Sequence, residues 1–398
     1  MNATPHHPIE QNALEAEHTK LKILARKIIG AFYHENNGFS EDINTRLSAI
    51  SEHYQRREYR FRYVVRKYFM NVTFEYSQIP WKYVGPVFMF YLHKKFNRAH
   101  RRQVSMLVET MIERIRIMHA KGHRIIRHED DITQLSKIIL ACSLSRYIQL
   151  FPINGKRKTK QLHDAFVSGY YLGLAYLLAD HGLDHPNMDA DKRRDFHETI
   201  LRSLLSQPID EEKYADINFV CKAAHAELPP NQFGGHYAIL YHLQKIQYDD
   251  SCFRFTDFSD EEIVEKLTLL ALKTHFSLYA IQMRYEEMPL AESIHEHLLY
   301  SLLVQLDDDL RDVAKDKSEG IRTFFSQAWT ETSFHPHGLY LKLVERMCVI
   351  NPKLDWLYID YLKHLQPSEK SFDQDKINQF LQKLIGKTGR DILTLCER

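Results

Sequence analysis

An all-α fold is what this sequence predicts, and three observations predict it. Gly is scarce, at 14 of 398 residues, about half the usual share of ~7%. Apolar residues recur at i, i+3/i+4 and i+7 along most of the chain. Alternating β-branched stretches are nearly absent, NVTFEYSQI (71–79) being the best strand candidate and a brief one.

Taken in order, the helical period appears first in LKILARKIIGAFY (21–33) and returns in VSMLVETMIERIRIMHA (104–120). SKIILACSLSRYIQLF (136–151) and the strongly apolar DAFVSGYYLGLAYLLAD (164–180) follow. EEIVEKLTLLALKTHFSLYAIQM (261–283), IHEHLLYSLLVQLDDDLRDVAKD (294–316) and LYLKLVERMCVI (339–350) complete the series. Breaks are expected at Pro80, Gly85-Pro86, Pro152, Pro186, Pro208, Pro229-Pro230, Gly234-Gly235, Pro289, Pro336 and Pro352. A shift in composition divides the chain into a basic, aromatic helical extension (1–135), a bundle (136–365) and a C-terminal helical tail (366–398).

The formal net charge is only +1, yet residues 56–102 hold twelve Lys/Arg against Glu58 and Glu75, a local +10 that leaves −9 on the rest. Five scattered cysteines without a CxxC pair argue for a reducing compartment and against a disulfide scaffold or zinc knuckle. The N-terminus lacks a signal-peptide pattern, and the longest apolar stretch (165–179) is shorter than the ~20 residues a membrane span needs. A cytoplasmic protein is expected.

Two acidic clusters each follow a long apolar helix. In QLDDDLRDVAKD (305–316), Asp308, Asp312 and Asp316 fall at i, i+4 and i+8, a single stripe if the helix is continuous. In YLLADHGLDH, Asp180 and Asp184 share the i, i+4 spacing. Like charges so spaced repel, so a helix gains no stability from them. Oxygen ligands on two deep helices suit Mg²⁺, which binds one or two carboxylates and recruits substrate phosphates. An ordinary solvated acidic face is the competing reading.

These residues carry a resemblance. Gln305-Leu306-x-x-x-Leu310-Arg311-Asp312-Val313-x-x-Asp316 resembles the second aspartate motif of squalene and phytoene synthases, and Asp308-Asp309-x-x-Asp312 has the spacing of that in trans-prenyl diphosphate synthases. Asp180-His181-Gly182-Leu183-Asp184 is similar to the first motif, with His181 where a second Asp is common. Ser145-Arg146, Pro152 and Lys156-Arg157 resemble the basic approach to it. Asp180 to Asp184, Asp191 to Phe196 and Val220-Cys221…Leu228-Pro229 are similar to the bacterial large-terpene synthases. The likeness covers roughly 140–325.

The resemblance implies an isoprenoid-synthase-like antiparallel helical bundle of class I, with 136–365 as its catalytic bundle and 1–135 as the extension. It implies a Mg²⁺-dependent terpene synthase on a prenyl diphosphate, with Asp180, Asp184, Asp308 and Asp312 catalytic and Asp316 joining them as metal ligands. Arg146, Lys156, Arg157, Arg311, Lys317 and Arg322 would clamp the diphosphate. Phe166, Tyr170, Tyr171, Tyr176, Phe276 and Tyr279 would line the lumen, plain core packing being their alternative. A head-to-head condensing enzyme or trans-prenyltransferase is the nearest alternative. From another class, a non-catalytic helical adaptor would bind nucleic acid or anionic membrane through 56–102; of these two partners, peripheral membrane contact is favoured over nucleic acid. A homodimer is compatible with the sequence.

Overall fold

The computed structural model describes residues 10–36, 98–128, 155–183, 189–283, 288–319, 323–326 and 334–351, with 131, 134, 135, 138, 139, 141–143, 146, 354, 357 and 361 individually. Among the described residues all regular structure is helical. The helices are α1 (Gln11–Asn36), α2 (Arg98–Ala120), α3 (Lys156–Leu183), α4 (Ala190–Leu204) and α5 (Ala215–Glu227), then α6 (Pro230–Cys252), α7 (Asp260–Gln282), α8 (Leu290–Arg311), α9 (Val313–Glu319) and α10 (Pro336–Ile350). The strand candidate 71–79, nearly all of the basic segment 56–102 and the tail 366–398 lie outside the described residues.

α7 is the central helix, packed by α6, α8 and α1 and also touching α3. Its stretch Leu267–Leu272 is buried at every position, as expected of a helix apolar on all sides. Ser259 caps it by accepting from the Glu262 amide, while the Glu262 side chain takes the amides of Thr256, Asp257 and Phe258. Each fully buried aliphatic or aromatic side chain here, such as Leu272 or Phe276, contributes about 1.5–3 kcal/mol.

α1 supplies Leu21, Ala25, Ile29, Phe32 and Tyr33 to the same core cluster as α6, α7, α8 and α10. α3 is the second deep helix, continuously buried from Ala165 to Leu174 and packed by α2, α4, α5 and α6. Gly169 and Gly173 bring it close to Leu135, Ile139 and Cys142. A Cβ on Gly169 would lie 2.8 Å from the Ile139 Cα, and one on Gly173 would lie 2.6 Å from a Leu135 methyl. Here the glycines serve close approach of two backbones.

In the region 190–252 the breaks expected at Pro208 and Pro229-Pro230 fall between helices, whereas Gly234-Gly235 does not end one. Pro230 is the first residue of α6, where a missing N–H costs nothing. Gly234 and Gly235 sit inside α6, just after Phe233, whose φ of −118° and ψ of 28° kink it. The acidic segment differs in the opposite sense: α8 ends at Arg311, Asp312 turns out of helical geometry, and α9 starts afresh.

Candidate active site

The acidic row divides at that break. Asp308 and Asp312 are exposed, whereas Asp316 on α9 is buried. The Asp312 amide still donates to the Asp308 carbonyl (3.1 Å), and the Asp316 amide to the Asp312 carbonyl (2.8 Å). The two skipped aspartates turn inward. Asp307, 2% exposed, ion-pairs with Arg311 and accepts the Tyr340 hydroxyl at 2.7 Å. Asp309 accepts from the Gln305 amide at 2.8 Å, and Gln305 in turn accepts the Thr274 hydroxyl at 2.6 Å.

Asp309 faces an interior charge cluster built by α6 and α7. Lys266 and Lys273 both reach Asp250, at 2.5 and 3.2 Å. Burial drives the Asp309 pKa up to about 7, against the opposing pull of Gln305 and Lys273. Burial also acts against charge on Lys273, but Asp250, then Tyr176 and Asp309, outweigh it and hold the ammonium above its usual range. Asp250 is held below its usual range, because Lys273 and Lys266 outweigh its burial. Lys273 is enclosed by protein, yet 31% of its side chain remains solvent-accessible. Tyr176 of α3 and Asp309 of α8 both act electrostatically on this one ammonium.

The other expected site residues are distributed as follows. Asp180 is half-buried in the last turn of α3, while Asp184 and Arg322 lie outside the described residues. Lys156, Arg157 and Lys317 are exposed, and Arg146 is buried. Arg311 is engaged by Asp307 within its own helix. His181 bonds Asp131 (3.0 Å), whose other oxygen takes the amides of Arg127 and His128. Of the aromatic candidates, Phe166, Tyr170 and Tyr171 belong to a second core cluster and Phe276 and Tyr279 to the main one. Tyr176, half-buried, is the one acting on Lys273. Lys273, Lys266, Asp250 and Asp309 were missed as site residues. The available signal was a pair of lysines inside the apolar run 263–280.

Among the described residues, no group of three His, Cys, Asp or Glu side chains forms a metal cage. Asp180 closes α3, and Asp307 to Asp309 close α8, at the negative end of each helix dipole. Acids there oppose the dipole, and a cation relieves that cost. Compared with family models, curated proteins and solved structures, the chain matches none.

Proposed function

We propose that the chain is a magnesium-dependent terpene synthase that ionises a prenyl diphosphate within a class I isoprenoid-synthase-like bundle, giving a cyclised or rearranged terpene. The cluster of Lys266, Lys273, Asp250 and Asp309 among the packed helices carries this reading. Such a cluster costs desolvation that buried hydrophobic residues would avoid.

Asp308 and Asp312 on one side, with Asp180 and Asp184 on the other, would hold the magnesium, Asp316 acting from α9. The bound metal supplies neutralisation of the departing diphosphate. Lys273 adds an ammonium: Asp250 engages it in one hydrogen bond, and an ammonium has three donors. Lys266 keeps Asp250 neutralised when Lys273 turns to an incoming phosphate oxygen. Gln305 fixes the Asp309 carboxyl and is itself fixed by Thr274, so the acidic end of α8 is oriented before substrate arrives. The apolar residues of α7 on either side exclude water from a carbocation.

The test is release of inorganic diphosphate from a panel of prenyl diphosphates by the full chain with magnesium. Asp308→Ala and Asp312→Ala should each abolish it, and the product should be a hydrocarbon or alcohol by mass spectrometry. A longer, joined prenyl chain would replace cyclisation with condensation. No release at any chain length, together with no magnesium-dependent diphosphate binding, would overturn the proposal.

A further inference from the structure

A second concentration of buried titratable groups lies where the N-terminal half of α1 crosses α6 and α4. His18 of α1 is 5% exposed, and neither ring nitrogen has a hydrogen-bond partner. Its ring stacks on His242 of α6, with centroids 5.5 Å apart and planes 23° from parallel. His242 is itself fully buried, its Nε2 3.4 Å from the Glu17 carboxylate. His197 of α4, also buried, stacks on Tyr248 of α6 at 4.3 Å and leaves its Nδ1 unpartnered.

The surrounding charges come from each packed element. On α1, Glu15 pairs with Lys245 of α6 (2.6 Å) and accepts the Tyr241 hydroxyl. Lys22 bridges Asp249 of α6 and Glu265 of α7, both at 3.0 Å. α7 otherwise presents the uncharged Phe276 ring to His242. A proton on His18 would therefore find no acceptor, a second imidazole against its face, and the Lys245 and Lys22 cations nearby, with Glu15 as the chief offset.

We infer that this histidine cluster is an acid-sensitive latch. At neutral pH it seats the N-terminal half of α1 on α6 and α4, and protonation of His18 and His197 releases that half. The C-terminal half stays in place through Ala25, Ile29, Phe32 and Tyr33 of the main core cluster, and through the Tyr33 hydroxyl on Asp260 (2.7 Å). Burial, helped by His242 and the lysines, lowers the His18 pKa to about 3, and burial with Lys245 lowers that of His197 to about 4. Both values lie below the 6.5 of a solvated imidazole. The open form thus takes up protons first: the seat is at full strength above pH 6.5 and weakens as pH falls toward the folded values.

Hydrogen exchange on the full chain at pH 7.5 and pH 5, corrected for the intrinsic rate, tests this. For His18 alone, opening of the segment 11–24 should rise about 30-fold between the two conditions, while peptides from 25–36 and from α7 change little. His18→Leu, which suits the apolar seat, should remove most of that rise; His18→Gln serves if leucine unseats the helix. Equal corrected protection of 11–24 at the two pH values in the wild type would overturn the inference. So would acid opening that persists undiminished in both variants.

Discussion

Asp309→Asn isolates the cost of the inward-facing carboxylate. Asparagine has nearly the same shape, and its carbonyl can still accept from Gln305, so the packing and the hydrogen bond survive. The titration does not survive. Asp309 ionises near 7 in the folded chain against 3.8 for a solvated aspartate, because burial disfavours the charge. The folded state therefore holds this proton more tightly than the unfolded state. Its stabilising contribution is complete below about pH 4 and is lost as pH rises through about 7. At 1.36 kcal/mol per pH unit, the wild type should lose about 2–3 kcal/mol relative to the variant between pH 5 and pH 8. Urea unfolding followed by far-UV circular dichroism, without magnesium, measures that change. Comparing the two proteins at each pH cancels every other titration, the α1 histidines included. A wild-type-to-variant difference that stays constant from pH 5 to pH 8 would refute the assignment of Asp309 to a desolvated site.

Lys273→Met keeps the aliphatic stem and removes the ammonium, so diphosphate binding by calorimetry should weaken about tenfold or more while Lys266→Met, which leaves Lys273 on Asp250, weakens it less. Asp307→Ala strands the Arg311 guanidinium and the Tyr340 hydroxyl in a nearly dry site and should cost about 3–5 kcal/mol in urea unfolding; the double replacement Asp307→Leu with Arg311→Leu should cost much less. Glycine substitutions should split in sign. Gly169→Ala forces its methyl against the Ile139 backbone and should destabilise by about 1–3 kcal/mol, whereas Gly30→Ala in α1, which meets only a Val264 methyl at 3.6 Å, should stabilise by about 0.5–1 kcal/mol.

The helices were legible wherever one apolar period ran without interruption, as in α3, α7 and α8. At 190–252 the breaks read at Pro208 and Pro229-Pro230 do separate helices, while Gly234-Gly235 follow a kink within α6 and end nothing. The acidic segment was conspicuous, yet the spacing selected Asp308, Asp312 and Asp316 by assuming one unbroken helix. The turn at Asp312 leaves the first two outward and the third buried. The residues facing the interior, Asp307 and Asp309, were the ones that spacing passed over. Lys273 stood in plain view within an apolar run, but its partner Asp250 comes 23 residues earlier on another helix. Only tertiary packing joins them.

The shared carboxylate has a mechanical consequence for the bundle. Asp250 belongs to α6, and its two ammonium partners stand seven residues apart, two turns, along α7. If α7 slid by one turn, a displacement of about 5.4 Å, at least one lysine would be carried out of reach and left as a lone charge among leucines. Aliphatic contacts alone tolerate such a slip, since one leucine replaces another. The triad thus acts as a vernier: it admits a single alignment of α6 and α7.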